Sequence, residues 1–136
     1  MNLMGKTSLE IVRVHEWMNW LSGTLHGAGF GHLFRPGRWT ESRDETVWEG
    51  VKGRAREVVG ECFDEIDGRL VEGSGWVVGG GMTAVDAYLF VFFRWGNEAG
   101  FDMRRKYPKY TKLMENFVKR EKVKDTLERE SICSTL

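Results

Sequence analysis

Only two cysteines stand among the 136 residues, Cys62 and Cys133, far apart and without metal-ligand or redox spacing. A disulfide framework is excluded, no metal site is expected, and a reduced, cytoplasmic setting is the expectation. Net charge is also lacking: twenty basic and twenty acidic residues cancel, so nothing global points to nucleic acid. No apolar run approaches ~18 residues, and the N-terminus has no charged-then-apolar leader pattern, so no membrane partner is expected. Repeats, low-complexity tracts and linkers are missing too. A single domain over residues 1–136 is the reading that remains.

What the chain does have is aromatic residues: six Trp and eight Phe, within an otherwise ordinary balance of 41% apolar and 29% charged residues. That is apolar material for one core of modest stability. It is also more aromatic surface than so small a core needs, so part of it is expected to line a cleft or an interface. Local charge is uneven, with ten Lys/Arg against six Asp/Glu from Asp102 to Glu130. A solvated helical face explains that better than a polyanion site.

Helix signals organise the chain. Thr7-Ser8-Leu9-Glu10 has the form of a capping box, in which two side chains satisfy amides of the first turn. Ile11, Val14, Trp17, Met18, Leu21 and Leu25 then recur at helical spacing. Gly27, Gly29 and Gly31 are expected to break that helix, and Arg35-Pro36-Gly37 to end the segment in a turn. A second box, Ser42-Arg43-Asp44-Glu45, precedes an amphipathic stripe from Val47 to Ile66, closed by Asp67-Gly68. The Gly-rich stretch from Arg69 to Gly81 reads as loop, with at most a short extended piece at Trp76-Val77-Val78. Gly79-Gly80-Gly81 is no phosphate loop, since no strand precedes it and no Lys-Ser/Thr follows.

The third box, Thr83-Ala84-Val85-Asp86, has Met82 in the staple position. It explains Asp86 as a structural cap rather than a catalytic acid. Ala87 to Trp95 is apolar nearly all round apart from Arg94, the pattern of a helix central to its domain. Helices over Tyr110 to Lys119 and Val123 to Glu130 follow. The fold class predicted is all-α, a helical bundle around one buried helix.

The run from Arg13 through His15-Glu16-Trp17-Met18-Asn19-Trp20-Leu21 to Leu25-His26 resembles the opening helix of the C-terminal domain in bacterial-type glutathione transferases, which shows a tract of the form E-W-L-N-F-I-S-T-E-L-H-K. Gly81-Met82-Thr83-Ala84-Val85-Asp86-Ala87-Tyr88 is similar to that family's box and staple at its central helix. Tyr107-Pro108 resembles its closing K-Y-P-x-L segment. The likeness runs from about Leu9 to Glu130. Gly27 stands where the family has Lys, and Arg120-Glu121 where it has R-P. The thioredoxin-like N-terminal domain, which in the family holds most glutathione contacts and the thiol-activating residue, has no counterpart in these residues.

The resemblance implies roles for particular positions. His26 matches a histidine at the family's cleft near the thiol, and imidazole chemistry makes a proton-transfer role plausible there. His15 with Glu16 is no dyad, because adjacent helical residues do not face each other. Trp17, Trp20, Phe30, Tyr88, Phe92, Arg94 and Trp95 match, or lie near, positions around the family's hydrophobic-substrate pocket; Phe34 belongs to the same aromatic set. Core packing is the competing reading for the rings. Three functions stay open. One is a stand-alone domain binding an aromatic metabolite and catalysing addition, isomerisation or cyclisation, with or without glutathione. A second is a protein-interaction module like those of elongation-factor and tRNA-synthetase assemblies, or a homodimer. The third is a piece of a longer transferase.

Overall fold

The computed structural model describes residues 2–71, 73 and 75–132, and every regular element among them is helical, as predicted. Helix α1 (Ser8–Trp20) runs directly into a π-helical stretch (Leu21–Phe30) and then α2 (Gly31–Phe34). A 3₁₀ turn (Pro36–Arg38) leads to α3 (Glu45–Arg69). After the Gly-rich loop come α4 (Ala84–Glu98), α5 (Met103–Lys106), α6 (Pro108–Val118) and α7 (Glu121–Arg129). Cys133, and Glu72 and Ser74 of the loop, lie outside the described residues. The chain forms two compact units, one from the N-terminal segment up to His15 together with Asp67 onward, the other Glu16–Ile66.

In the first unit, Thr7 and Glu10 open α1 reciprocally. Thr7 Oγ1 accepts the Glu10 amide at 3.2 Å, and the Glu10 carboxylate accepts the Thr7 and Lys6 amides at 3.0 and 2.7 Å. Those two backbone donors hold the Glu10 carboxyl below its ordinary pKa. The same carboxylate lies against Gly79, whose φ of +66° is one that residues other than glycine rarely adopt. Leu3 adds a tie to the start of α4, its carbonyl accepting the Ala84 amide at 2.9 Å.

Helix α4 carries the core of this unit. Val85, Leu89 and Phe93 have no exposed surface. Phe93 meets Tyr110 of α6 edge-on at 5.1 Å, and Phe90 meets Phe117 at 5.4 Å. The Tyr110 hydroxyl donates to the Leu89 carbonyl at 2.6 Å, and its complete burial raises the phenol pKa well above the usual value.

The start of α6 is capped from a distance. Tyr107 precedes Pro108 and supplies no capping side chain, but Asp67 Oδ1 accepts the Tyr110 amide at 2.8 Å. The sequence assigns Asp67-Gly68 to closing α3, whereas α3 runs on to Arg69 and the carboxylate serves α6 instead. Asp67→Ala should therefore lower stability by about 1 kcal/mol, and Asp67→Asn by much less, in urea titrations followed by circular dichroism. Equal midpoints for Asp67→Ala and the parent chain would remove Asp67 from this role.

The second unit departs from the predicted glycine break. Turns continue through Gly27, Gly29 and Gly31, widened so that the Gly31 amide reaches back five residues to the His26 carbonyl. Gly29 faces α3 so closely that a Cβ would stand 2.9 Å from Val59 Cγ2. The glycine serves close packing here, and the break comes only at Arg35, where φ is −136° and ψ 57°.

The entry to α3 also differs from the predicted box. Asp44, rather than Ser42, caps the helix, accepting the Thr46 amide at 2.8 Å, while Ser42 Oγ accepts the Asp44 amide at 3.1 Å. The helix begins at Glu45, so that residue stands in the first turn's opening position, too early to close a box with Ser42. Along α3 the buried set is Ala55, Val59, Cys62, Phe63 and Ile66, at helical spacing. Phe63 packs on Phe30 at 6.1 Å. Burial, with Glu65 and Glu61 nearby, pushes the Cys62 thiol up to about 11, which makes it a core residue rather than a nucleophile.

Candidate functional site

Each unit carries one part of the predicted set. In the second unit, His26 lies in the π-helical stretch with its side chain exposed. Trp17, 5% exposed, meets Trp20 edge-on at 5.8 Å, and Trp20 is half-buried. Phe30 is fully enclosed, with Phe34 at 5.3 Å on one side. So His26 and Trp20 present surface to solvent, while Trp17 and Phe30 lie behind it.

In the first unit, Tyr88, Phe92 and Trp95 recur at i, i+4 and i+7 and form one stripe of α4. Their rings are linked, Tyr88 to Phe92 at 4.6 Å and Phe92 to Trp95 at 5.7 Å, the latter edge-on. Phe92 is fully buried, whereas Tyr88 and Trp95 are half-buried and so reach solvent. Arg94 is about 100° of helix rotation away from Trp95, on the face that holds exposed Val91. Its guanidinium lies 3.8 Å from the Glu98 carboxylate, so part of its charge is already answered.

The stripe is held in place by the start of α4. Asp86, with no exposed surface, accepts the Thr83 amide at 2.7 Å, the Thr83 hydroxyl at 3.1 Å and the Val77 amide at 3.1 Å. Burial pushes its carboxyl above the ordinary value, and these hydrogen bonds work against that rise. The carboxylate thus ties the Gly-rich loop to the helix that carries the aromatic stripe.

One feature of the second unit escaped the sequence. His32 and Trp39 stack nearly parallel, 3.8 Å between centroids and 14° between planes. His32 Nδ1 lies 3.1 Å from the Gly27 carbonyl, and Trp39 Nε1 donates to Gly31 at 3.4 Å. The only available signal was a His–Trp pair seven residues apart, and the Arg35-Pro36-Gly37 turn between them rules out reading that spacing as one helix face. Among the described residues no group of three His, Cys, Asp or Glu could hold a metal, and no helix is long and apolar enough to cross a membrane.

Known proteins place this architecture. The family described as glutathione S-transferase, C-terminal domain, matches residues 33–121. Glutathione S-transferase GST-4.5 of Xanthomonas campestris pv. campestris is 28% identical over 97 residues, which cover 71% of this chain and 46% of that protein. The crystal structure of a glutathione transferase homolog from Sulfitobacter, with bound glutathione, aligns with a TM-score of 0.80 at 25% identity, covering 94% of this chain and 59% of that one. A ternary complex of BphK, a bacterial glutathione transferase, gives a TM-score of 0.74 at 23% identity, over 94% and 58% of the two chains, and supports the fold alone. The chain thus spans about half the length of these relatives. With the family model matching well over half of its residues, this chain belongs to the glutathione S-transferase C-terminal domain family.

Proposed function

We propose that this chain binds the apolar group of an organic substrate in glutathione-transferase-type chemistry, within the cytoplasm, with Tyr88 and Trp95 as contact residues. The observation that carries this reading is the aromatic stripe of α4, whose two end rings reach solvent beside the fully buried Phe92. Phe92 backs these two rings rather than touching the ligand, and Phe30 and Trp17 are buried within the second unit. His26, exposed on the widened turns, would move a proton in an addition, isomerisation or cyclisation.

Glutathione is a weaker fit for these residues than an aromatic group. A tripeptide with two carboxylates and an ammonium needs several charged partners, and the set offers one imidazole and a guanidinium shared with Glu98. Binding of a hydrophobic glutathione conjugate by its apolar end fits the set better.

Calorimetric titration with glutathione, and with an aryl glutathione conjugate, tests the proposal. The conjugate should bind saturably, and Trp95→Ala should weaken it about tenfold. His26→Gln should leave that affinity unchanged while lowering any turnover by about a hundredfold, the scale of a lost general acid–base. No saturable binding of either compound would sink the reading.

A second reading, a homodimer or protein-interaction module, draws on the exposed apolar residues at the N-terminal end, above all Leu9 at 62% and Val12 at 63%. They lie three residues apart on α1, so they share a face. A monomer by analytical ultracentrifugation, unchanged by Val12→Lys, would favour the ligand-binding reading over self-association.

A further inference from the structure

A separate feature of the first unit has the shape and chemistry of a binding groove. A cavity of about 620 Å³ lies between the start of the Gly-rich loop and α6. That volume falls within the ~300–1,000 Å³ of ordinary small-molecule sites. Leu70, Val71 and Leu113 give it an apolar lining, and Lys109, Lys112 and Asn116 line it with polar groups.

The arrangement follows from the register of α6. Lys109, Lys112, Leu113 and Asn116 recur at i, i+3, i+4 and i+7, so they form one face of the helix. Tyr110 and Phe117, which pack on Phe93 and Phe90 of α4, lie roughly a quarter-turn or more round from the two lysines. The groove is therefore distinct from the α4 core contact and from the Tyr88–Trp95 stripe.

Charge points to the class of ligand. Among the described residues neither Lys109 nor Lys112 has a carboxylate within ion-pair distance, whereas Lys52, Arg54, Arg94 and Arg105 do. Lys109 is half-buried at the groove, which strengthens its pull on an anion relative to a fully hydrated lysine. Val71 leaves 73% of its surface exposed, an apolar side chain that a ligand would cover. Two ammonium groups beside an apolar lining do not suit a polyanion, which would need a longer cationic stripe. We propose that this groove binds an amphiphilic carboxylate, with its chain on Leu70, Val71 and Leu113 and its head on Lys109, Lys112 and the Asn116 amide.

The proposal stands whether or not the α4 stripe binds a ligand, and decanoate is the probe that tests it. Amide chemical shifts and calorimetry should show saturable binding to the full chain, with shifts at Leu70, Val71 and Lys109 to Asn116. Lys109→Gln together with Lys112→Gln should weaken decanoate about tenfold, the scale of two partly exposed ion pairs. The salt dependence of binding should fall in that variant, while Lys119→Gln with Lys122→Gln should bind like the parent. Val71→Ser, at an exposed position that tolerates the change, should weaken decanoate as well. Trp95→Ala should leave decanoate affinity unchanged, which separates this groove from the α4 stripe. No saturable binding, unchanged affinity in the Lys109/Lys112 variant, or shifts confined to α1 and α4 would each overturn the assignment.

Discussion

Asp86→Ala is expected to lower stability by about 3 kcal/mol, a large part of the ~5–15 kcal/mol that holds a domain folded. The carboxylate is fully buried and accepts three hydrogen bonds, from the Thr83 amide, the Thr83 hydroxyl and the Val77 amide. Alanine leaves those donors without an acceptor in a site that water does not reach. Each buried, unsatisfied group costs about 1–3 kcal/mol. The loss also unties the Gly-rich loop from α4, so the Tyr88–Trp95 stripe should loosen with it. Urea unfolding, followed by circular dichroism and by tryptophan fluorescence, measures the change. A loss below about 1 kcal/mol would mean that Asp86 caps only the helix and that the link to Val77 contributes nothing.

The pH dependence of the same residue has a definite sign. Burial raises the Asp86 carboxyl above its ordinary value of 3.8, so the folded chain holds this proton more tightly than the unfolded chain does. The stabilising contribution of that proton is complete below the unfolded value. It disappears as pH rises through the folded one. Asp86→Asn keeps the size of the side chain and cannot titrate. The stability of the parent chain relative to Asp86→Asn should therefore be greater at about pH 3.5 than at pH 7. The opposite trend would mean that the hydrogen bonds outweigh burial.

At Gly29 the expected loss comes from crowding. A Cβ there would lie 2.9 Å from Val59 Cγ2, closer than real Cβ contacts allow, and Val59 is fully buried with a stiff, β-branched side chain. Overpacking of this kind costs about 1–3 kcal/mol, against a gain of about 1 kcal/mol when alanine replaces glycine inside a helix. Gly29→Ala should thus be destabilising by about 1 kcal/mol, and Gly29→Leu by about 3 kcal/mol or more. Val59→Ala supplies the cross-check. By itself it leaves a small cavity, but combined with Gly29→Ala it relieves the clash, so the two losses should fall well short of adding. Strict additivity in a double-mutant cycle would show that Gly29 is not held against Val59.

Legibility from the sequence differed from one residue to the next. Thr7 with Glu10 and Thr83 with Asp86 could be paired on paper, because a capping box lies within four consecutive residues. The buried stripe of α3 and the apolar α4 were equally readable, since helical period alone selects Ala55, Val59, Cys62, Phe63 and Ile66. The rings of α4 could be grouped by their spacing, yet which of them reach solvent was not visible. Phe92 and Trp95 look alike in sequence and differ only in what packs over them.

Local chemistry by itself determined the all-helical class, two of the helix starts and the buried helix, whereas the family was implied by the resemblance of whole motifs. The first three depend on neighbours within about two helical turns, and such neighbours are adjacent in the sequence. Tertiary structure alone decided that the Gly27–Gly31 stretch stays helical, that Asp67 caps a helix 43 residues away, and that Lys109 and Lys112 share a groove with Leu70 and Val71. Each of these outcomes depends on an atom supplied by a distant segment: a Val59 methyl, a Tyr110 amide, a loop lying along α6. No local period or spacing encodes such a partner, because it exists only once the chain has folded back on itself.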